Sequence, residues 1–281
     1  MTPFKITGPA VISFSGGRTS ALMLARIAEQ GFRPDVHVLY ANTGKEREET
    51  LRFVHAVGEH LGVSVRWLER APDGSVREVT FETAARQGEP FEALITKRKF
   101  LPNPVTRYCT QELKIRVMKR WMVARGYKNW TNVVGLRADE PHRVAKQRAK
   151  EGKERWDLAF PLFDAGVTKA DVILHWKKQP FDLQLKSWEG NCDLCFLKGV
   201  AKRTRIIEDD PNRAEWWAAQ EQRIGGTFRS DTADYAGLAR LAQQQGRLFD
   251  NALFNAEADE FSDPTDLDEC GGYCESNREA A

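Results

Sequence analysis

The sequence predicts an α/β protein built on a doubly wound parallel sheet. Three apolar segments, at 10–14, 36–40 and 63–68, alternate with helical patterns of apolar residues at 19–30 and 46–61. Strands that alternate with helices form the crossover units of a parallel sheet. Ligands of such sheets bind at the carboxyl ends of the strands, so the residues that follow each strand form the candidate site.

The first apolar segment breaks into a Ser-Gly-Gly turn, after which a helix is expected to begin. Glycines let backbone N–H groups point into the turn, serine hydroxyls add donors, and the helix presents its positive N-terminal end. We therefore expect a phosphate-binding loop, with an ordinary strand-to-helix turn as the alternative. Its candidate residues are Ser13, Ser15, Gly16, Gly17, Arg18, Thr19 and Ser20. The loop is neither a Walker A motif nor a Gly-x-Gly-x-x-Gly motif.

Two other strand ends carry candidate nucleotide contacts. Asn42, Thr43 and Gly44 follow the strand at 36–40, where the alternative is a polar turn before the next helix. The strand at 130–134 leads into a second set, which consists of Gly135, Arg137 and Arg143. A glycine permits close backbone approach, and a guanidinium pairs with phosphate or sulfate oxygens. Alternatively, Arg143 lies on an exposed basic helix that extends to Arg155, and it has no role in anion binding.

These motifs occur in the order found in the adenine nucleotide alpha hydrolase (PP-loop) superfamily, and the chain resembles its phosphoadenosine phosphosulfate (PAPS) and adenosine phosphosulfate (APS) reductase family. The resemblance implies a Rossmann-like sheet and an adenine nucleotide ligand, which is PAPS, APS or ATP. It also implies that Arg137 is a catalytic residue that neutralises substrate charge. The chain departs from the family at Asn42, where an acidic residue is common, and at Glu48, which replaces a proline.

The five cysteines are candidates for metal binding or catalysis. Cys192 and Cys195 form a Cys-x-x-Cys motif, whose spacing lets two thiolates reach one metal centre. The resemblance to APS reductases implies a [4Fe–4S] cluster on Cys109, Cys192, Cys195 and a cysteine of the tail. The family has a Cys-Cys pair where this chain has only Cys109. Zinc is an alternative metal, since it accepts the same sulfur ligands, and inert thiols are a third reading.

The tail leaves two assignments open. The segment around Cys270 resembles the tail of sulfonucleotide reductases, whose cysteine attacks the substrate sulfur, a role that suits an exposed thiolate. In one assignment Cys274 is the fourth metal ligand and Cys270 is the catalytic nucleophile. In the other, Cys270 is the ligand.

The resemblance allows two reactions. The first is thiol-dependent reduction of a sulfonucleotide to sulfite, with a thioredoxin-like reductant. The second is ATP pyrophosphatase-type adenylation, with Mg²⁺, for sulfur insertion into a nucleic acid or another acceptor. A nucleotide- or nucleic-acid-binding module without catalytic activity is a hypothesis of another class.

Composition sets further expectations. There are 42 basic and 40 acidic residues, so the net charge of +2 gives no general argument for nucleic-acid binding. No export signal and no apolar run of about 18 residues is evident, which predicts a cytoplasmic protein without a membrane partner; a homo-oligomer is compatible with the sequence. We expect a nucleotide-binding domain at 1–205 that includes the Cys-x-x-Cys motif, and a helical C-terminal extension at 206–281, with helices at 206–223 and 235–247 and a cysteine-containing flexible tail.

Overall fold

The computed structural model of the chain describes residues 2–245, so Cys270 and Cys274 lie outside the described residues. A six-stranded sheet has the order β4-β3-β2-β1-β5-β6, and β4 is the antiparallel edge strand of an otherwise parallel sheet. The strands are β1 (Ala10–Ser13), β2 (Val36–Ala41), β3 (Val65–Arg70), β4 (Val76–Val79), β5 (Trp130–Val134) and β6 (Trp156–Ala159). The predicted fold class is confirmed. Because the chain winds outward from β1 in both directions, the topological switch point lies between β1 and β5.

The described helices are short, and none of them combines the length and the apolar character needed to cross a membrane. They are α1 (Arg18–Ala28), α2 (Glu48–Leu61), α3 (Glu89–Arg98), α4 (Tyr108–Thr110), α5 (Arg116–Ala124), α6 (Pro141–Arg148), α7 (Pro161–Asp164), α8 (Lys169–Trp176), α9 (Val200–Asp209), α10 (Arg213–Ile224) and α11 (Tyr235–Gln245). A π-helical turn at Gln111–Ile115 joins α4 to α5.

Alternate residues of the strands serve two hydrophobic cores on opposite faces of the sheet. Ile12 of β1 packs in the core that includes α1, α2 and α8. Its neighbour Val11 packs in the core that includes Met118 and Trp121 of α5. Successive side chains of a strand point to opposite faces, and covering both faces explains why the central strands are mainly apolar.

A third hydrophobic core joins α3 to the C-terminal helices α9, α10 and α11. Trp217 lies at its centre, with its ring centroid 5.0 Å from that of Phe228 and 5.3 Å from that of Tyr235. Pro211 separates α9 from α10 within the region predicted as one helix, because proline lacks the N–H that a continuous helix needs. The expected domain boundary at residue 205 falls inside α9.

The edges of the sheet differ from the sequence-based expectations. The sequence analysis predicts neither β4 nor β6. Each is four residues long, which is too short for a clear alternation of apolar and polar residues.

A capping box formed by Thr168 and Asp171 begins α8. The backbone N–H of Thr168 donates to the Asp171 carboxylate over 2.8 Å, and the Thr168 hydroxyl accepts from the Asp171 N–H. We expect Thr168→Ala to lower the free energy of unfolding by about 0.5–2 kcal/mol, measured by chemical denaturation.

The same variant has an expected pH dependence. Hydrogen bonds from Thr168 lower the pKa of Asp171, so their stabilisation is present above the unfolded-state pKa of about 4 and is lost as the pH falls through the folded-state value. The difference between wild type and Thr168→Ala should therefore shrink in acid. Ser187→Ala at an exposed turn is the control, and an equal loss of stability in both variants would contradict the capping role.

Candidate functional site

The Ser-Gly-Gly turn joins β1 to α1, as predicted, and its hydroxyls hold the turn closed. The Ser20 hydroxyl accepts from the Ser15 N–H over 3.2 Å, lies 2.9 Å from the Ser15 hydroxyl and donates to the Gly17 carbonyl over 3.0 Å. Gly16 has φ +84°, and a Cβ there would lie 2.7 Å from Cγ2 of Thr50. Only glycine fits this position, because it needs both the left-handed conformation and the missing side chain.

The other candidate residues of the loop have different surroundings. The Arg18 guanidinium donates to both carboxylate oxygens of Asp182, over 2.7 and 2.8 Å, and to the Leu183 carbonyl. Ser13 is buried with its hydroxyl 3.7 Å from Sδ of Met118. Arg18 therefore anchors the segment after α8, and its contact with phosphate stays a prediction.

The end of β5 meets the Ser-Gly-Gly loop, as the sequence predicts. A Cβ on Gly135 would lie 3.1 Å from Cα of Ser20, so glycine permits this close approach. The Arg137 guanidinium donates to the Thr19 hydroxyl over 3.2 Å and to Asp139 over 2.9 Å. Arg137 is thus placed at the loop where a bound oxyanion would need a positive charge.

Arg143 lies in α6 and forms an ion pair with Glu140. Glu140 also accepts from the Arg137 N–H over 3.0 Å and lies 3.7 Å from its guanidinium. The two predicted anion-binding arginines therefore share one buried carboxylate, which holds them on the same segment.

Asn42 is completely buried after β2. Its amide donates to Glu69 over 2.7 Å and to the Ala85 carbonyl over 2.9 Å, while its oxygen accepts from the Gly44 N–H. These bonds connect the ends of β2 and β3 to the loop before α3. The structure thus gives the Asn42 side chain a structural role, and its contact with a nucleotide stays a prediction.

Two charged residues that the sequence analysis missed lie between Thr43 and the cysteines. The Glu46 carboxylate accepts from the Thr43 hydroxyl over 2.6 Å, and its other oxygen lies 3.2 Å from Nζ of Lys114 and 4.0 Å from Sγ of Cys192. Lys114 belongs to the π-helical turn. Neither residue had a signal in the sequence: Lys114 lies five positions after Cys109, a spacing that a regular α-helix places on different faces, and Glu46 is indistinguishable from its acidic neighbours.

The described cysteines approach one another. Cys192 makes a hydrogen bond with Cys195, which together with burial raises its pKa. Burial first, and then the neighbouring Cys192, raise the pKa of Cys109 to about 12, while Lys114 acts in the opposite direction. Within residues 2–245, no three His, Cys, Asp or Glu side chains are already arranged as a metal-binding group.

The donor chemistry nevertheless fits a sulfur-ligated metal. Cys192 is hydrogen-bonded to Cys195 and interacts electrostatically with Cys109 from a distant part of the chain, and the positive charge of Lys114 acts on both Cys109 and Cys192. Thiolates are the preferred ligands of Fe–S clusters and of structural zinc. The fourth predicted sulfur ligand, Cys274 or Cys270, lies outside the described residues.

The cysteine loop, defined as Glu189–Cys195, is bonded directly to the Ser-Gly-Gly loop. The Asn191 amide donates to the Ser15 carbonyl over 3.0 Å, and the Asn191 carbonyl accepts from the Arg47 N–H over 2.7 Å. Glu46 and Cys192 form an antiparallel bridge. The Ser-Gly-Gly loop and the Cys-x-x-Cys motif therefore lie side by side in the structure.

The C-terminal helices hold the other side of the cysteine loop. Asp193 accepts from the Trp217 indole over 3.0 Å and pairs with Lys45 over 2.7 Å, although burial raises the pKa of this carboxyl. The Tyr235 hydroxyl donates to the Leu194 carbonyl over 2.7 Å. The core around Trp217 thus fixes the position of Cys192 and Cys195.

Comparison with known families decides the affiliation of the chain. Residues 9–180, which contain the Ser-Gly-Gly loop, the end of β2, Cys109 and the end of β5, match the phosphoadenosine phosphosulfate reductase domain. The chain belongs to the PAPS reductase family. The family resemblance predicted from the motifs is therefore confirmed.

Two relatives of this PAPS reductase-family protein have no described activity. The uncharacterized nin region protein ORF290 of Escherichia phage lambda is 31% identical over 212 residues, which cover 71% of this chain and 70% of the phage protein. The uncharacterized protein MJ0066 of Methanocaldococcus jannaschii is 24% identical over 218 residues, which cover 76% of this chain and 41% of that protein.

Two solved structures show distant similarity at 14% sequence identity. One is the U34-tRNA thiolase NcsA from Methanococcus maripaludis with its [4Fe-4S] cluster, with a TM-score of 0.40 over 84% of this chain and 74% of that chain. The other is the NMN synthetase from Francisella tularensis, with a TM-score of 0.41 over 87% of each chain.

The packing around Gly16 gives a testable prediction. We expect Gly16→Ala to abolish nucleotide binding, measured by calorimetry, because the added Cβ would collide with Thr50 and shift the loop. Gly62→Ala is the matched control, since Gly62 has φ +62° with open space around it. That variant should lose only about 1–2 kcal/mol of stability and bind nucleotide normally, and equal binding losses in both variants would contradict the prediction.

The pKa of Cys109 gives a second prediction, for metal-free protein carrying Cys270→Ser and Cys274→Ser. With a pKa of about 12, about one Cys109 thiol in ten thousand is ionised at pH 8, so alkylation by iodoacetamide should be slow and should accelerate with rising pH. Peptide mass spectrometry measures the modification. Alkylation of native Cys109 at pH 8 as fast as in the denatured chain would contradict this assignment.

Proposed function

We propose that this protein binds an adenine sulfonucleotide, PAPS or APS, at the Ser-Gly-Gly loop and reduces it to sulfite through a cysteine thiol. The hydrogen bond from Asn191 to the Ser15 carbonyl carries this proposal, because it joins the cysteine loop to the phosphate-binding loop. Membership of the PAPS reductase family supports the same chemistry.

The residues at the sheet edge have distinct roles in this reaction. The Ser15 and Ser20 hydroxyls and the amides at Gly16 and Gly17 hold the phosphate–sulfate group. Arg137, already at the loop through Thr19, neutralises the charge that develops on the leaving phosphate oxygen. Arg143, beside Glu140, adds positive charge on the same segment.

The remaining nucleotide contacts come from the end of β2. Thr43 and Gly44 lie beside Glu46 and Pro90, and we assign their backbone and the Asn42 segment to the nucleoside portion of the ligand. This assignment follows from their position at the same sheet edge as the phosphate-binding loop.

The chemical step is a displacement at sulfur. The Cys270 thiolate attacks the sulfonate sulfur, and the bond from that sulfur to the bridging phosphate oxygen breaks, so that the electron pair leaves with the nucleotide. This forms a thiosulfonate on the cysteine. One thiolate of a dithiol reductant of the thioredoxin class then attacks the cysteine sulfur, which releases sulfite and forms a mixed disulfide. The second thiol of the reductant attacks this disulfide, which frees the Cys270 thiolate and leaves the reductant as its own disulfide.

The cysteines fit a [4Fe–4S] cluster held by Cys109, Cys192 and Cys195 with Cys274, or with Cys270 if that residue is the ligand. When bound, the cluster supplies a sulfur-ligated, redox-active centre beside the nucleotide, whereas zinc would supply a structural cross-link. Lys114 and Glu46 position this cysteine group relative to Thr43.

A second function is favoured by the raised pKa of Cys109 and Cys192. A thiol must lose its proton to act as a nucleophile or as a metal ligand, so the metal-free Cys109 and Cys192 are weak nucleophiles at neutral pH, and a reaction that needs no attack by either thiol becomes the second candidate. In this alternative, an acceptor oxygen, such as one of a nucleic-acid base, attacks the α-phosphate of Mg²⁺-bound ATP and releases pyrophosphate. Sulfide then attacks the adenylated carbon of the acceptor, the bond from that carbon to the AMP oxygen breaks, and AMP leaves, so that the sulfur stays on the acceptor.

Product analysis of anaerobically prepared protein distinguishes these reactions. With PAPS or APS and a thioredoxin-like reductant, we expect sulfite and the corresponding adenosine phosphate, and no turnover in the Cys270→Ser, Cys274→Ser variant. Pyrophosphate and AMP from ATP and Mg²⁺ would instead establish the second reaction. Nucleotide binding without either set of products would show a binding module and overturn both.

Metal binding and nucleotide binding should be separable by neighbouring substitutions. We expect Cys192→Ser to lose the iron, about four atoms per chain in the anaerobic wild type, while it retains nucleotide binding. Asn191→Ala should keep the iron and weaken nucleotide binding by about three- to tenfold, because it loses one hydrogen bond to the loop. Iron and sulfide analysis with calorimetry measures both, and a colourless zinc protein would exclude the cluster.

A further inference from the structure

A cluster of arginines lies at the end of β3, apart from the residues assigned to the nucleotide. The arginine cluster consists of Arg70, Arg98, Arg116 and Arg120, gathered around the side chain of Glu112. Arg70 is the last residue of β3, Arg98 is the last residue of α3, and Arg116 and Arg120 lie in α5.

One carboxylate serves three of these guanidinium groups. Oε1 of Glu112 accepts from Arg98 over 2.5 Å and from Arg116 over 2.8 Å, while Oε2 lies 3.9 Å from Arg120. Arg120 also donates to the Gly74 carbonyl. A guanidinium has five N–H donors, so Glu112 leaves most of the donors in the cluster available for another acceptor.

The cluster carries excess positive charge. Asp73 is the other carboxylate that acts on Arg70, and it already accepts from the N–H and the hydroxyl of Ser75. Four guanidinium groups thus face two carboxylates. Burial, opposed by Glu112 and reinforced by Arg120 and Arg98, lowers the pKa of Arg70 below its usual value.

Arg70 has a buried hydrogen-bond donor, its Nε, for which the cluster provides no acceptor. Its residue is 3% exposed, and its Nε has no hydrogen-bond partner among the residues that the structure describes. Its NH1 donates to the Ala71 carbonyl over 3.1 Å. A buried donor without a partner is costly, and repulsion from neighbouring cations adds to this cost.

We propose that the arginine cluster binds the phosphate or sulfate group of a ligand, at a site separate from the Ser-Gly-Gly loop. The side chains of Arg98, Arg116 and Arg120 are 40–51% exposed, so an anion can reach them from solvent. Planar guanidinium groups hold such oxyanions through paired N–H donors. A bound anion would neutralise the positive charge of the arginine cluster that the carboxylates of Glu112 and Asp73 do not balance.

The surroundings favour an anionic ligand. Lys97 and Lys99 flank Arg98 and are exposed. Strand β3 ends at the same sheet edge as β1, with β2 between them, so the two sites open toward the same side of the sheet. The proposal is independent of which reaction occurs at the Ser-Gly-Gly loop.

The test measures inorganic phosphate binding to the full chain by equilibrium dialysis at low ionic strength. We expect two phosphates per wild-type chain, and a loss of at least about tenfold in affinity at one of them in Arg116→Gln, Arg120→Gln. Arg33→Gln, Arg52→Gln is the control, because it removes two exposed arginines that each pair with one carboxylate. Two unchanged sites in the cluster variant, or an equal loss in the control, would overturn the proposal.

Gly16→Ala separates this site from the phosphate-binding loop. That variant should lose the loop site and keep the phosphate bound by the arginine cluster, whereas loss of both sites would assign both phosphates to the loop and overturn the proposal. Two further probes identify the source of the anion. If AMP binds to the Gly16→Ala variant, and the additional substitutions Arg116→Gln and Arg120→Gln remove this binding, the ligand group is a phosphomonoester. The same result with a short single-stranded oligonucleotide would identify a phosphodiester.

Discussion

The site depends on one antiparallel contact, between residues 45–47 and residues 191–193. Arg47 donates to the Asn191 carbonyl, Asp193 donates to the Lys45 carbonyl, and Asn191 in turn reaches the Ser15 carbonyl of the phosphate-binding loop. These bonds tie the Cys-x-x-Cys motif to the sheet side of the site, while the C-terminal helices hold its other side. The same bonds bring the Cys-x-x-Cys motif and the Ser-Gly-Gly loop together at one edge of the sheet.

Buried ion pairs reinforce this contact. Lys45 pairs with Asp193, Arg47 with Glu189 and Lys114 with Glu46, and these side chains are at most 14% exposed. Removing ions from water costs free energy, and the attraction within a buried pair offsets this desolvation penalty only when the geometry of the pair is good. Such pairs are therefore weak evidence for added stability. They do make alternative placements of the cysteine loop unfavourable, since any shift would leave a buried charge unpaired.

The sequence was sufficient for the features that local patterns determine. The parallel sheet follows from apolar segments alternating with helices, and the meeting of Arg137 with the Ser-Gly-Gly loop follows from both lying at strand ends. The bond of Arg18 to Asp182 and the contact of Glu46 with Lys114 could not be predicted, because they join residues far apart in the chain. Ion-pair partners among many similar charges carry no sequence signal.

The π-helical turn at Gln111–Ile115 interrupts what would otherwise be one α-helix, so that the two ends of this segment can be oriented differently. α5 must keep Val117 and Trp121 against the sheet, while Cys109 must face the cysteine loop. In a continuous α-helix each residue advances by about 100°, so both orientations would be fixed by one phase. One extra residue in the turn resets this phase. Deleting a single residue there would restore regular helix and change the orientation of Cys109 relative to α5, which changes the surroundings of Cys109 without altering any cysteine.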